Sequence, residues 1–442
     1  MFDRRLIGLA GQQADRFAKS YYDDLMQTSN TINPSSTQTP LATDVRVIGL
    51  VGAGHMISHF SQLLLAPLFP LLKVAFNVSY AELGFLMMIF FGVSCGVQAL
   101  SGFAVDKFGP RPILFAGLTL LGTATFGYAA STSYAMLAGF AVMAGVGNGV
   151  FHPVNYTLLN RKISSTRLGH AYSVHGITGS LGWALAPAML VPLSYLYSWR
   201  VALATAGVLT FSVLVMLLVN RDKLALEMPT SKKPLTPGLI ATKGESSFEF
   251  LKIPAVWMCF SFFFWFAMSL SIVQAFAPEA ARQLTQGAVS LVAICLTTYM
   301  LASAGGMVLG GFLAADPARC TRIVGIGFGV AASSSLLLAL GSYSAAWIPV
   351  IFGVMGFASG IAAPSRDLLV KRSTPDNASG RVYGVVYAGL DIGQALSPLI
   401  FGSLMDHGHY RGVLLGLAAL QGVLIVSAFN VQRVQRTALV MA

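Results

Sequence analysis

From residue 46 onward, apolar stretches of span length alternate with short polar connections. Twelve such segments can be marked, at 46–72, 80–105, 112–131, 134–158, 170–194, 200–219, 254–278, 288–314, 321–341, 345–369, 382–404 and 411–430. A helix that crosses a bilayer needs roughly 20 mostly apolar residues. Strands of a membrane barrel would be shorter and would alternate apolar with polar, and these segments do not. The pattern predicts an all-α membrane protein of twelve transmembrane helices. Residues 220–253 (NRDKLALEMPTSKKPLTPGLIATKGESSFEFLKI) interrupt it with a polar, charged linker that divides the segments six and six.

The first 44 residues read differently. Arg4 and Arg5 precede an apolar stretch that runs only from Leu6 to Ala10, too short for the apolar region of a signal peptide. Residues 2–26 suit a loose amphipathic helix at the membrane surface, and 27–43 are polar and turn-rich, a composition that favours disorder. The expected organisation is a cytoplasmic tail over 1–44, a six-helix bundle over 45–220, a cytoplasmic linker over 221–252, a second six-helix bundle over 253–431 and a cytoplasmic tail over 432–442.

Composition narrows the class. Charged residues make up 10% of the 442, against about 25% in soluble domains, which excludes an ordinary cytosolic enzyme, a nucleic-acid module and a disordered protein. The net charge of +11 is a matter of placement. With the N-terminus inside, 24 of the 28 Lys and Arg fall on the cytoplasmic side. Only Lys73, Arg200, Arg282 and Arg411 fall on the other. The positive-inside rule then puts both termini in the cytoplasm, with the chain in a bacterial inner membrane. The charge is a topology signal and an attraction to anionic lipid, and nucleic acid is not an expected partner. Cys95, Cys259, Cys295 and Cys320 are far apart in sequence and form no CxxC motif; they read as small buried hydrophobes.

The two halves repeat one another at an offset of 211. Without a gap, 145–193 match 356–404 at 13 of 49 positions. The shared residues include Gly145/Gly356, Gly149/Gly360, Pro153/Pro364, Gly182/Gly393 and Pro187/Pro398, and Pro67/Pro278 obey the same offset. Glycines and prolines mark close helix contacts and kinks, so sharing them predicts two six-helix pseudo-repeats of one geometry. Parallel repeats of this kind occur in transporters that hold the substrate near mid-membrane between the halves.

Between the second and third segments, residues 102–112 read GFAVDKFGPRP. Gly102, Asp106, Lys107, Gly109 and Arg111 match the loop signature of the major facilitator superfamily. The chain resembles that superfamily over about 390 residues, from 45 to the end. The second-half copy, GGFLAADPARCTR at 310–322, is degenerate. The resemblance implies that the loop gates the inner face through a charge-assisted network around Asp106 and Arg111. Segment one (GHMISHFSQLLLAPLFPLLK) and segment four (GVGNGVFHPVNYTLLN) are similar to the branch around the fosmidomycin-resistance exporters, through His55, Gln62, the run Pro70–Lys73 and His152-Pro153. His59 stands where that branch can carry an acid. The branch resemblance implies export of a small drug-like or anionic compound.

Ionisable groups in a span are costly and usually face a cavity or a partner. His55 and His59 are four residues apart and share one face of the first helix. They fit a cavity-facing pair for substrate or protons, or helix–helix hydrogen bonds; no third ligand accompanies them, and no metal is expected. Asn148, His152 and Asn155 recur on one face of segment four, beside Pro153. His175 lies near the cytoplasmic end of segment five, which also carries a small-residue face at Ser173, Gly176, Gly179 and Gly182. Asp391 is the only acid deep within a predicted span, and the repeat sets it opposite Ser180. It is the first candidate for proton coupling, or else a fixed partner for Arg366 or a histidine. Gln394 shares its face. Gln274 and the run Phe262–Phe266 mark segment seven, while Arg366 and Asp367 lie near the cytoplasmic end of segment ten.

No GxxxxGK[ST] loop is present, so ATP is not an expected energy source. The reading is a secondary transporter, not an enzyme, with no cofactor, acting as a monomer on a small-molecule substrate coupled to protons. Proton-driven uptake of a small organic anion such as a carboxylate is the alternative, and a non-transporting receptor on the same fold a more distant one.

Overall fold

The structure, a computed structural model, describes residues 40–164, 167–226, 254–314, 319–373 and 379–441. For residues 106, 169, 255, 367–373, 379–387 and 430–441 it describes the backbone alone. The N-terminal tail up to residue 39 and most of the linker lie outside the described residues.

The first repeat comprises α1 (Leu41–Gln62), α2 (Phe69–Phe76), α3 (Tyr80–Phe108), α4 (Pro110–Ala130), α5 (Tyr134–Asn148), α6 (Phe151–Lys162), α7 (Leu168–Leu196) and α8 (Trp199–Val219). The second comprises α9 (Pro254–Ala275), α10 (Ala277–Thr285), α11 (Ser290–Leu313), α12 (Cys320–Leu340), α13 (Ile348–Ser373), α14 (Ser379–Asp406) and α15 (Tyr410–Met441). Eleven stretches are long and apolar enough to cross a membrane, with α1–α2 and α5–α6 each counting as one. With the 28-residue α14, the described residues hold twelve spans, six in each repeat. The last helix runs on to Met441, through the segment read as a tail.

Three expected spans are broken rather than continuous. In span one, α1 stops at Gln62 and a 3₁₀ turn, Ala66–Leu68, precedes α2; Pro67 and Pro70 bracket the junction. In span four, α5 ends at Asn148 and α6 starts at Phe151. Pro153 has no N–H, and its ring excludes the carbonyl of Gly149 from helical bonding. Past span seven, α9 gives way to α10 at Phe276, with Pro278 in the first turn. Pro67 and Pro278, paired by the repeat, thus each open the short element that follows the first helix of a half.

Glycines shared by the repeats mark where helices touch. A Cβ on Gly149 would lie 2.6 Å from the carbonyl of Ser94 on α3, and one on Gly360 would collide with the carbonyl of Ser303 on α11. Gly182 presses α7 onto the carbonyl of Met56 on α1, and Gly393 presses α14 onto that of Phe264 on α9. The repeats meet along two seams, α3 with α14 and α7 with α11. The offset carries α3 onto α11 and α7 onto α14, so the two seams are one contact used twice.

One end of the α3–α14 seam is held by charge. Asp406, the last residue of α14, accepts hydrogen bonds from the backbone N–H groups of Tyr80 (2.8 Å) and Ala81 (2.9 Å) at the N-terminus of α3. It also pairs with Lys73 at 3.1 Å. The Tyr80 hydroxyl donates to Glu279 on α10 at 3.2 Å. Arg282 grips Glu279 with two bonds of 2.7 Å, and Gln283 adds a third at 2.8 Å. A Cβ on Gly402 would lie 2.9 Å from the carbonyl of Tyr80, so the backbones are in contact there too. Helix N-termini favour anions, and bonds to a charged acceptor are stronger than neutral ones.

Asp406→Ala is expected to part the repeats at this end. Spin labels at Thr132→Cys and Ser342→Cys, both exposed in loops at that end, should shift toward longer separations in pulsed electron paramagnetic resonance. Removing charge-assisted bonds should raise the ratio of long to short populations about tenfold.

Candidate functional site

The break in span four brings polar residues of three helices together. Four imidazoles gather inside the first repeat: His55 and His59 from α1, His152 from α6 and His175 from α7. The His55 ring stacks on His175 with centroids 3.6 Å apart and meets His59 edge-on at 4.3 Å. His152 lies 5.7 Å from His55 and 6.4 Å from His59. Gly179 makes room for the group: a Cβ there would lie 2.8 Å from the His59 ring and 3.0 Å from that of His55. The small-residue face of segment five is thus shaped to the histidines at Gly179, whereas Gly176 faces open space.

Asn155, fully buried, binds two of the rings at once. Its Nδ2 lies 3.3 Å from Nδ1 of His55 and 3.2 Å from Nε2 of His175. An amide NH₂ has two hydrogens to give, so it can donate to both rings, to a nitrogen that carries no proton. Tyr156, next in sequence, adds ring contacts to His152 (6.2 Å) and His175 (5.5 Å).

A second string runs beside the first. The Ser58 hydroxyl donates to Oδ1 of Asn148 at 2.8 Å, and Gln62 donates to the same oxygen at 3.4 Å. Asn148 in turn donates to the Ser94 hydroxyl on α3 at 2.9 Å. Trp183 donates to Gln62 at 3.0 Å and packs its ring on His59 at 4.3 Å, joining the two strings.

Of the expected site residues, the structure therefore unites His55, His59, Gln62, Asn148, His152, Asn155 and His175. Asp391 stands apart from them. It accepts a hydrogen bond at 3.2 Å from Gln98 on α3, across the seam. Gln274 and Gln394 are buried and join neither string; both amide atoms of Gln274 and Oε1 of Gln394 lack hydrogen-bond partners among the described residues. No three His, Cys, Asp or Glu among the described residues are placed to hold a metal ion. A groove of about 580 Å³ on the second repeat, lined by Leu313, Ile326, Val330, Phe357 and Ile361, contains none of these polar groups.

The loop expected to gate folds into a single-residue turn. Gly109 takes φ +82°, a left-handed conformation that suits glycine, and Pro110 starts α4. Lys107 lies over the Phe108 ring at 5.1 Å, and Arg111 reaches the carbonyl of Arg221 beyond α8 at 3.5 Å. Gly102 sits in α3 facing open space, and the side chain of Asp106 lies outside the described residues.

Sequence reasoning missed Ser58, Ser94, Gln98 and Trp183. Arg366, near the cytoplasmic end of segment ten in the sequence, has its side chain buried, at 8% exposure. Its guanidinium lies 4.2 Å from the Phe266 ring centroid and 5.3 Å from that of Phe263. The repeat held the clue, because the offset pairs Arg366 with Asn155.

Comparison with known proteins decides the family. The model of the Major Facilitator Superfamily matches residues 51–353 and 266–439. The chain belongs to this superfamily. Its members are transporters, not enzymes, and a multi-pass membrane protein with a small-molecule substrate follows from membership. The fosmidomycin resistance protein of Escherichia coli K12 is 25% identical over 388 residues, 84% of this chain and 89% of that protein. A probable sulfoacetate transporter of Cupriavidus necator is 23% identical over 163 residues, 36% of this chain and 37% of that one. Among solved structures, a bacterial homologue of the human lysosomal transporter Spinster superposes with a TM-score of 0.69 at 14% identity, over 88% of this chain and 97% of its own. The nucleoside transporter NupG superposes with a TM-score of 0.67 at 15% identity, over 86% and 99%. These two show the shared fold.

Asn148→Leu is expected to destabilise the superfamily protein strongly. It would strand the buried Ser58 and Ser94 hydroxyls, each costing about 1–3 kcal/mol. Thermal unfolding in detergent should show a clear drop in midpoint, larger than for Asn148→Ser.

Proposed function

We propose that this chain is a proton-coupled exporter of a small drug-like or anionic compound in a bacterial inner membrane. Residues 45–220 rock against 253–431 about a shared central pocket, the alternating-access plan of parallel repeats. The observation that carries the reading is the histidine cluster. Four imidazoles meet on three helices of one repeat, and among the described residues the other side chains that bond to or stack on them are Asn155, Tyr156 and Trp183, none of them a carboxylate. Rings that take up a proton without a fixed counter-charge suit a pathway that carries an anion, a proton or both. The similarity to a fosmidomycin resistance protein over most of the chain supports export. The 24-to-4 division of basic residues supports cytoplasmic termini, which sets the Asp406 contact on the outer face.

Asp391 is the proposed coupling acid. It sits on the seam between the repeats, where gain or loss of charge changes a contact that crosses from one half to the other. Gly102, Asp106, Lys107, Gly109 and Arg111 are proposed to gate the inner face.

The test is growth of an exporter-deficient bacterium against antibiotics that include phosphonates. Wild type should protect, and Asp391→Asn at matched membrane levels should not. His55→Ala should raise the concentration needed for half-saturation of transport several-fold. Protection by Asp391→Asn equal to wild type would end the coupling role. Greater sensitivity on expression would favour uptake of an organic anion, in line with the relative described as a probable sulfoacetate transporter.

A further inference from the structure

The degenerate second-half copy of the loop signature ends in Arg322, which the offset of 211 pairs with Arg111. The two arginines are placed differently. Arg111 reaches the carbonyl of Arg221 at 3.5 Å. Arg322 is exposed in the first turn of α12 and bonds to no other group among the described residues. Residues four apart share a helix face, so Ile326 and Val330 carry the face of Arg322 onward into the membrane. Both line the groove of about 580 Å³ on the second repeat. It forms where three helices are drawn together. A Cβ on Gly327 of α12 would lie 2.6 Å from the carbonyl of Ala358 on α13, and Gly310 of α11 presses on the carbonyl of Ile361. Gly327 and Ala358 are buried at the floor. Ile326 and Val330 of α12 and Val354 and Phe357 of α13 are 40% to 62% exposed. From Ile323 to Val330 the groove follows α12 for about 10 Å.

We propose that this groove holds an acyl chain of an anionic phospholipid whose phosphate is bound by Arg322. Every residue that lines the groove is apolar, so it offers a polar solute no hydrogen bond and a hydrocarbon chain a continuous wall. Its exposed side chains face lipid in a chain that spans the bilayer. Arg322 stands one turn beyond Ile326, at the end of the span, where a long basic side chain reaches toward headgroups. This end of α12 is remote from the Asp406 contact, on the side to which 24 of the 28 Lys and Arg are assigned. Basic residues at such a place attract anionic lipid. Arg319, one turn earlier, has contacts of its own, and the site is complete without it. Asp316, in the connection before α12, lies outside the described residues. A second copy of the chain fits the groove less well. A two-fold dimer uses the same patch on both subunits, so it would set two concave surfaces together and bring both Arg322 side chains to one interface. The site is on the lipid face of the second repeat, and it stands or falls separately from substrate, direction and coupling.

The test is native mass spectrometry of the purified full-length protein in detergent, with phosphatidylglycerol and phosphatidylcholine of matched acyl chains added in equal amounts. Wild type should retain phosphatidylglycerol in preference to phosphatidylcholine. Arg322→Gln should lower that preference about fivefold, the effect of one basic residue near a charged lipid surface. Arg322→Lys should keep most of it. Val354→Trp, which fills the groove from its exposed side, should displace the retained lipid whatever its headgroup. Glycerol 3-phosphate, which has the phosphate and no acyl chain, should not compete. Both substituted positions are exposed, and thermal unfolding checks that each variant is folded. Equal retention of the two lipids by wild type would overturn the proposal, as would full preference in Arg322→Gln. Unchanged retention in Val354→Trp would put the lipid elsewhere and overturn it too. Competition by glycerol 3-phosphate would leave a phosphate site with no part for the groove. A wild-type dimer that Val354→Trp abolishes would give the groove to a second copy instead.

Discussion

Lipid offers no hydrogen bonds, so each break in a spanning helix must be met by groups that the protein itself supplies. That constraint organises the first repeat. Pro153 divides span four between Asn148 and Phe151, and the polar side chains collect on either side of the division. Asn148 is the hub of one string, with Ser58, Gln62 and Ser94 around it. Asn155 is the hub of the other, with two histidines. A transporter needs polar groups at mid-membrane and a stable helix bundle around them. The carbonyl that Pro153 frees, that of Gly149, is met by the Ser101 hydroxyl of α3 at 3.3 Å, and the two strings stand on either side of the break.

The sequence made the architecture legible because its signals are strong in a membrane. Span length, the linker and the offset of 211 yield the twelve helices and their division. Even the two seams could have been foreseen, since α3 and α11, and α7 and α14, occupy matching places. The site was legible on the first repeat, where histidines and asparagines recur at helical spacing. It was less so on the second. Arg366 lies near a helix end in the sequence, where an arginine ordinarily reaches toward headgroups, and only its burial against Phe263 and Phe266 shows otherwise. Gln98 gave no signal of its own, because a lone amide in a long apolar helix says nothing about which neighbour it meets. Asp406 and Lys73 are 333 residues apart, and no local pattern links them.

The repeats are alike in backbone and unlike in chemistry. Along the α7–α11 seam, Ser180 meets the sulfur of Met307 at 3.3 Å. At the matching place on the α3–α14 seam, Asp391 meets Gln98. One seam is thus weakly polar where the other bears a carboxyl. A change of charge acts on one side of the molecule only, so the two halves are not interchangeable even though their folds nearly are.

The N-terminus of α3 is capped twice. Asp406 caps it from the other repeat, while Ser79 and Glu82 cap it from within its own chain segment, through a reciprocal box. If the repeats part, the outer cap is lost and the inner one remains. The helix end keeps donors satisfied and does not fray. Separation at this face then breaks contacts between two finished bodies without melting either of them, so nothing has to refold when the face closes again.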